Sequence, residues 1–270
     1  MYTIDIPSYL DDTGVSQYRH YSVTGSTNND ALAWAEAGAP DFSLVMADEQ
    51  TSGRGRFERR WISKPGGSLA FSLILRPSPA EIHRLPRLSP LAGIAVSEAV
   101  NTLLGVRTQI KWPNDVLLNR RKFCGILVEA QWTGATLAVA VMGIGINVLE
   151  QAVPSSSDQS FEATSLQTET GIVLDRGLLL REVLHNIRLW RDRVGTHAFM
   201  QRWQRDLAFL NEMVRLEHSE KPSIIGRVKG IDPQGKLILV DESGGEQKFE
   251  IGDVHLRAGE HSIDGGEHAG

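Results

Sequence analysis

The sequence predicts an α+β fold, with a mixed, largely antiparallel sheet bearing helices mainly on one face and a small C-terminal β-barrel. Three observations predict it. Strand-like and helix-like periodicities alternate irregularly, without the regular βαβ rhythm of a doubly wound sheet. Two stretches, 90–104 and 177–194, carry apolar residues at helical spacing over lengths no ordinary strand reaches. Beyond Asn211, five short strand-type runs lie close together between 214 and 256, separated by turn signals. The predicted organisation is a main domain over 1–211, a small barrel over 212–257 and a disordered tail over 258–270.

The elements follow in order. Residues 19–23 read as a strand, and Ser26 or Thr27 can cap the Ala/Leu-rich helix that runs to about Ala37. Gly38 and Pro40 stop that helix. Residues 44–47 form a short apolar strand leading into a Gly/Arg-rich loop at 51–60. Residues 68–75 alternate like a strand, ended by Pro77 and Pro79. After the 90–104 helix, residues 109–118, 124–132 and 136–148 read as successive strands, with Arg120-Arg121-Lys122 at the turn between the first two. Residues 177–194 and 198–210 are helical. In the barrel the strands are 214–216, 224–230, 236–240, 247–251 and 254–256, punctuated by Asp232-Pro233-Gln234-Gly235 and Ser243-Gly244-Gly245. The last twelve residues hold four glycines and no Lys or Arg, a composition that does not build a core.

Composition narrows the class. The 270 residues are 41% apolar and 23% charged, and the net charge is −5 with both signs interspersed. That balance argues against the broad cationic surface of a nucleic-acid binder. A single cysteine, Cys124, excludes an internal disulfide framework and fits a reducing compartment. The N-terminus carries three acids and no basic stretch before an apolar run, unlike a secretory signal. No apolar run approaches the roughly 18 residues needed to span a bilayer, so a soluble, cytoplasmic, non-membrane protein is expected.

Several short constellations could carry chemistry. From Gly53 to Lys64 there are five basic residues against one acid, a local charge of +4 within a chain of −5. In Gly53-Arg54-Gly55-Arg56-Phe57-Glu58-Arg59-Arg60-Trp61, alternating Gly and Arg can wrap an anion while guanidinium forks hold phosphate oxygens. A solvated basic loop is the competing reading. Trp61 can stack on a nucleobase or sit as an ordinary core residue. In Lys111-Trp112-Pro113-Asn114-Asp115 the lysine can project a point charge into a cleft, or lie on the surface beside a packed tryptophan. Asp115 is equally a metal ligand or a turn cap. Ser26, Thr27, Asn28 and Gln50 are neutral donors and acceptors suited to a uncharged polar ring such as a urea, although capping explains Ser26 or Thr27 as well. Gly143-Ile144-Gly145-Ile146-Asn147 lacks the third glycine and the following helix of a dinucleotide fingerprint. Its glycines are better read as letting a ligand lie against the strand backbone. No Gly-Lys-Ser/Thr phosphate loop occurs, and the eight histidines show no metal-ligand spacing. Cys124 sits in an apolar strand and should be an inert, buried thiol.

Together, and in this order, these stretches resemble the biotin–protein ligase family. The resemblance rests on Gly25-Ser26-Thr27-Asn28; on Gln50, Gly53-Arg54-Gly55-Arg56 and Trp61; and on Gly66-Gly67-Ser68-Leu69 with Leu75-Arg76-Pro77. It continues through Lys111-Trp112-Pro113-Asn114-Asp115, Gly125-Ile126-Leu127-Val128-Glu129 and Gly143-Ile144-Gly145-Ile146-Asn147, and ends in Gly230-Ile231-Asp232 and Gly252-Asp253-Val254. It covers residues 20–257 and implies a biotin/lipoate-ligase catalytic domain with an SH3-like C-terminal barrel.

The resemblance implies that ATP activates biotin to biotinyl-5′-AMP, with Mg²⁺, and that biotin passes to a lysine of the biotin carboxyl carrier domain of a carboxylase. It implies that Ser26, Thr27 and Gln50 hydrogen-bond the ureido ring and that Asn28 shapes that end. Arg54, Gly55, Arg56 and Phe57 would lie in a loop that orders over biotin and the adenylate. Lys111 would reach the biotin carboxylate and α-phosphate, Trp61 would pack by the adenine, and Gly125 and Asn147 would line the ligand site. Arg56 and Lys111 would be the catalytic cations. Glu58 stands where the family often has glycine, and Cys124 replaces a small apolar residue. Family members are monomers or homodimers. Fewer than 20 residues precede the first matching strand, too few for a helix-turn-helix, so direct action on DNA is not expected. A lipoate ligase, a biotin-sensing repressor and a non-catalytic adenylate-binding module are the competing readings.

Overall fold

The computed structural model of this chain describes residues 6–57, 59–134, 136–153, 162–218, 222–250 and 254–258. It divides into two compact units, Met1–Ala208 and Phe209–Gly270.

The first unit is built on a seven-stranded sheet ordered β1-β2-β3-β7-β6-β5-β4. The strands are β1 (Tyr18–Thr24), β2 (Ser43–Gln50), β3 (Ser68–Leu75), β4 (Gln109–Lys111), β5 (Asp115–Leu118), β6 (Arg121–Thr133) and β7 (Thr136–Asn147). Only β1 and β2 run parallel; the other neighbours are antiparallel. The helices are α1 (Ile6–Leu10), α2 (Thr27–Glu36), α3 (Pro79–Ile82), α4 (Leu88–Leu104), α5 (Leu166–Thr170), α6 (Arg176–Arg191) and α7 (His197–Arg205).

Every residue of β3 is buried, so its sequence is an apolar run rather than the half-exposed alternation expected for 68–75. The cause is cover on both sides. On one face α2 packs Ala31, Trp34 and Ala35 against Val45, Ile74, Val139 and Val141. On the other, Gly93 of α4 meets Ile110 closely enough that a Cβ would lie 3.3 Å from its side chain. Helices therefore cover both faces, with α2 on one and α4, against which α6 and α7 pack, on the other.

Two further expectations change. The stretch 109–118 is not one strand: β4 and β5 pair antiparallel, with Lys111 opposite Asp115. The chain reverses at Trp112–Asn114, where the Trp112–Pro113 bond is cis and Asn114 N donates to Lys111 O at 3.1 Å. Trp112 is fully buried, so its apolar character reads as strand while the backbone turns. The last helix stops at Arg205 rather than near 210, because the following residues bond to the free edge of β4. Ile110 N donates to Asp206 O at 2.7 Å and Ala208 N to Ile110 O at 2.9 Å, forming a parallel bridge between Ile110 and Leu207. Among the described residues no helix is long and apolar enough to cross a membrane.

The second unit is a five-stranded antiparallel sheet ordered β11-β10-β9-β8-β12. Its strands are β8 (Met213–His218), β9 (Ile224–Ile231), β10 (Leu237–Val240), β11 (Glu246–Phe249) and β12 (Val254–Ala258). Aspartates close its turns: Asp232 Oδ1 accepts from Gln234 N and Lys236 N, and Asp241 Oδ1 from Ser243 N and Gly245 N. This self-bonding is what makes Asx residues turn formers. Ala258 closes β12, and the rest of the predicted tail, 259–270, lies outside the described residues.

Candidate active site

The register of the first unit sets one row of residues across the sheet. Lys111 pairs Asp115, Asp115 pairs Gly125, and Gly125 pairs Gly145. Because successive strand residues point to opposite faces, these four share the face that carries Gly143 and Leu127. Ile110, Val116 and Cys124 point the other way, toward α4.

The glycines of this row are floor. A Cβ on Gly143 would stand 2.1 Å from Asn28 Oδ1, and one on Gly145 would stand 2.3 Å from Trp61 Cε2. Neither distance is attainable without displacing the neighbour. The groups that lie against this strand are thus the protein's own Asn28 and Trp61, where the sequence suggested a ligand. Trp61 also covers Gly125, at 3.1 Å from a Cβ there. Its indole N–H is buried and meets no acceptor among the described residues.

Ser26, Thr27 and Asn28 begin α2 and are all buried. Ser26 holds the N-cap position in extended conformation, yet its hydroxyl makes no capping bond. The acceptor comes from β2 instead. Gln50 Oε1 receives Thr27 N at 2.8 Å and Thr27 Oγ1 at 3.1 Å. The capping explanation for Ser26 and Thr27 therefore fails. Asn28 Nδ2 donates to Glu129 Oε2 at 2.8 Å and Leu127 O at 3.3 Å. The Ser72 hydroxyl lies 2.6 Å from Asn28 Oδ1 and 2.7 Å from Thr27 Oγ1, so its one proton serves one of two buried neighbours.

The Gly/Arg segment is a narrow two-legged loop. Arg54 and Arg60 face each other in an antiparallel bridge. Gly55 N donates to Arg59 O at 2.7 Å and Trp61 N to Gly53 O at 2.9 Å. Gly53 is required by space, since a Cβ there would lie 2.4 Å from Trp61 O. The left-handed backbone of the loop falls instead on Phe57, at φ 54°. Arg54 forms an ion pair with Glu129, the carboxylate that also holds Asn28. Arg56 stacks over the Phe57 ring at 4.7 Å and donates to Asn114 Oδ1 at 3.4 Å. Glu58 lies outside the described residues.

Asn114 belongs to the turn that begins at Lys111, so the loop and the lysine meet there. Lys111 is buried, with its Nζ 3.8 Å from Asp115 Oδ2. Lys122 Nζ stands 2.6 Å from Asp115 Oδ1. Burial works to raise the Asp115 pKa, but Lys122 and Lys111, with Arg59 beyond them, outweigh it and hold the carboxyl below the usual carboxylate range. Cys124 is buried beside this cluster on the opposite face, and burial pushes its thiol far above the ordinary value.

Arg56 and Lys111 thus come together at one turn, and Thr27, Asn28 and Gln50 form one hydrogen-bonded cluster linked to Arg54 through Glu129. Trp61 and Gly125 join them on the floor. Asn147 shares the strand and face of Gly145, but its amide is committed to Thr164 O at 3.1 Å. Sequence reasoning assigned no role to Lys122, Glu129 or Ser72. Period-two counting from Gly125 would have put Glu129 on the floor face, and the same counting back from Ile74 would have found Ser72.

A basic loop, a buried lysine turn and a glycine floor thus share one face of the sheet. The profile of the biotin/lipoate A/B protein ligase family matches residues 21–147, and that of the biotin protein ligase C-terminal domain matches residues 209–257. The chain belongs to the biotin protein ligase family. It is 36% identical over 243 residues to a biotin–[acetyl-CoA-carboxylase] ligase of Mycobacterium tuberculosis, covering 87% of each chain. It is 34% identical over 241 residues to the bifunctional ligase/repressor BirA of Bacillus spizizenii, covering 88% of this chain and 73% of that one. A biotin protein ligase from Aquifex aeolicus solved with biotin and ATP superimposes at a TM-score of 0.76 with 28% identity, over 90% of this chain and all of the other.

Proposed function

We propose that this chain joins biotin to ATP as biotinyl-5′-AMP and then passes the biotinyl group to a lysine of a biotin carboxyl carrier domain. In the first step a biotin carboxylate oxygen bonds to the α-phosphorus, and the α–β bridging oxygen leaves with pyrophosphate. In the second, the lysine nitrogen bonds to the acyl carbon, AMP leaves, and the amine proton passes to solvent. No enzyme nucleophile is required. The difficulty is electrostatic, because a carboxylate must approach a polyphosphate, and fixed cations ease it most.

The observation that carries the reading is the convergence of Arg56 and Lys111 on one turn, with Arg56 bonded to Asn114 and Lys111 opposite Asp115. These two are the cations we assign to the reacting groups. Removing one such charge costs about 3 kcal/mol of barrier, roughly a hundredfold in rate. Ser26, Thr27, Gln50 and Asn28 are assigned to the ureido end, supported by the burial of Ser26, Thr27 and Asn28 and by the two hydrogen bonds from Thr27 to Gln50. Arg54, Gly55 and Phe57 are assigned to the loop over the ligand, and Gly125, Trp61 and Asn147 to its floor and nucleotide side. The buried Trp61 N–H supports that assignment, since a ligand oxygen would relieve an unmet donor that costs about 1–3 kcal/mol.

Among the described residues no group of three His, Cys, Asp or Glu side chains could hold a metal, and Asp115 is engaged by two ammonium groups. Magnesium is accordingly read as arriving with ATP, and the reacting charges are carried here by the basic side chains. Mass spectrometry of a carrier domain incubated with the protein, biotin and MgATP tests the proposal. One biotinyl addition on a lysine is expected, with none when lipoate replaces biotin; an unmodified carrier, or equal labelling by lipoate, overturns it.

A further inference from the structure

Two hydroxyl protons serve three contacts at the start of α2. Ser72, fully buried on β3, lies 2.6 Å from Asn28 Oδ1 and 2.7 Å from Thr27 Oγ1. Thr27 Oγ1 in turn lies 3.1 Å from Gln50 Oε1. Other bonds fix the amides at both ends of this chain. Asn28 Nδ2 is spent on Glu129 Oε2 and Leu127 O, so Oδ1 is the atom that faces Ser72. Gln50 Oε1 already receives Thr27 N at 2.8 Å, so it too is an oxygen with no proton to give.

A chain closed at both ends by carbonyl oxygens uses every proton its hydroxyls carry. If Ser72 donates to Asn28, Thr27 donates to Ser72 or to Gln50. If Ser72 donates to Thr27, Thr27 donates to Gln50. In each arrangement the Thr27 proton stays inside the protein. Turning it toward a ligand would leave two buried oxygens 2.7 Å apart with at most the Ser72 proton to satisfy both Thr27 and Asn28, which is costly. Without Ser72 that cost vanishes, because Gln50 Oε1 keeps its bond from Thr27 N and the threonine hydroxyl is free to turn.

We propose that Ser72 is a positioning residue for substrate choice: it holds the Thr27 hydroxyl as an acceptor, so that the site selects a ring that brings an N–H to it. The inference rests on the biotin-activating reading above and on the place of Thr27 at the ureido end. Gln50 complements it, since with Oε1 occupied it offers a ligand only its amide N–H groups. A ring carrying both N–H and C=O fits such a pair, and a ring with oxygen in place of N–H does not.

Pyrophosphate–ATP exchange driven by biotin, or by its cyclic carbonate analogue with ring oxygens in place of both N–H groups, tests this in the full chain. Ser72→Ala should narrow the biotin-to-carbonate ratio of kcat/KM on the order of tenfold, through KM rather than kcat. In a Thr27→Val background the same substitution should narrow it no further, because Ser72 acts through that hydroxyl. Ser72→Cys, close in shape but a weak donor, should narrow the ratio to a lesser degree and serves if the alanine protein does not fold. A Ser72 that only supports packing would lower thermal stability and affect both substrates equally. An unchanged ratio in a folded Ser72→Ala or Ser72→Cys protein, or an equal narrowing with and without the Thr27 hydroxyl, overturns the proposal. No exchange by the wild-type chain with biotin would overturn the biotin-activating reading as well, so the two failures are distinct.

Discussion

The contact between Gly143 and Asn28 gives a quantitative test of how the floor is built. An alanine at 143 would put its Cβ 2.1 Å from Asn28 Oδ1, 2.9 Å from Cγ and 3.1 Å from Nδ2. The strand cannot yield, being paired with β3 on one side and β6 on the other. The amide of Asn28 must therefore leave, abandoning Glu129 Oε2, Leu127 O and the Ser72 hydroxyl. At about 1 kcal/mol for each buried hydrogen bond, Gly143→Ala costs about 3 kcal/mol. At about 2–4 °C per kcal/mol for a unit of this size, the melting temperature falls by about 6–12 °C. Asn28→Ala should cost a similar amount, because it forfeits the same bonds. In the Asn28→Ala background all three crowding atoms are gone, so adding Gly143→Ala should cost less than about 0.5 kcal/mol. Thermal denaturation of the four proteins followed by circular dichroism measures the coupling. Additive losses would show that Gly143 is small for some reason other than Asn28, and the packing argument would be wrong.

Three other outcomes follow from the same geometry. Asp115→Asn strands two lysines and should destabilise the protein by about 3–5 kcal/mol near neutral pH. Because the folded carboxyl is depressed, that contribution is full above the unfolded value of 3.8 and disappears as pH falls through the lower folded value. Denaturation midpoints of wild type and variant should therefore converge only below that pH, and convergence above it would contradict the ion-pair geometry. Arg56→Gly should form biotinyl-5′-AMP about a hundredfold more slowly and release it faster, read by quenched-flow and by adenylate retained on the protein after gel filtration; unchanged retention would remove the loop from the mechanism. Cys124 should resist thiol reagents in the native protein and react fully after denaturation, because burial keeps its thiol protonated; native labelling at a free-thiol rate would contradict the packing on α4.

Much of this was legible in the sequence where local chemistry decides the backbone. Residues 68–75 form a strand with the bounds read from the sequence because Gly66-Gly67 precede the run and Pro77 follows it. The barrel strands were legible because Asp232 and Asp241 bond their own backbones and punctuate them. What the sequence hid depends on partners distant along the chain. The reversal at Trp112 looks like strand because the buried side chain is apolar whichever way the backbone runs. The cap of α2 comes from Gln50 on a neighbouring strand, so inspection of Ser26 and its neighbours alone misassigns it. In the site, the basic loop and the lysine turn stood out as motifs. Lys122 did not, because three adjacent basic residues at a turn look like solvated surface; the register pairs it with Leu117 across an irregularity, and only its side chain reaches back to Asp115.

Biotin-dependent pyrophosphate–ATP exchange by the wild-type protein and by Lys111→Met bears most directly on the convergence of the loop and the lysine turn. Wild type should exchange only when biotin is present, and Lys111→Met should lose about a hundredfold while remaining folded. Exchange independent of biotin, or a folded Lys111→Met variant as active as wild type, would contradict it.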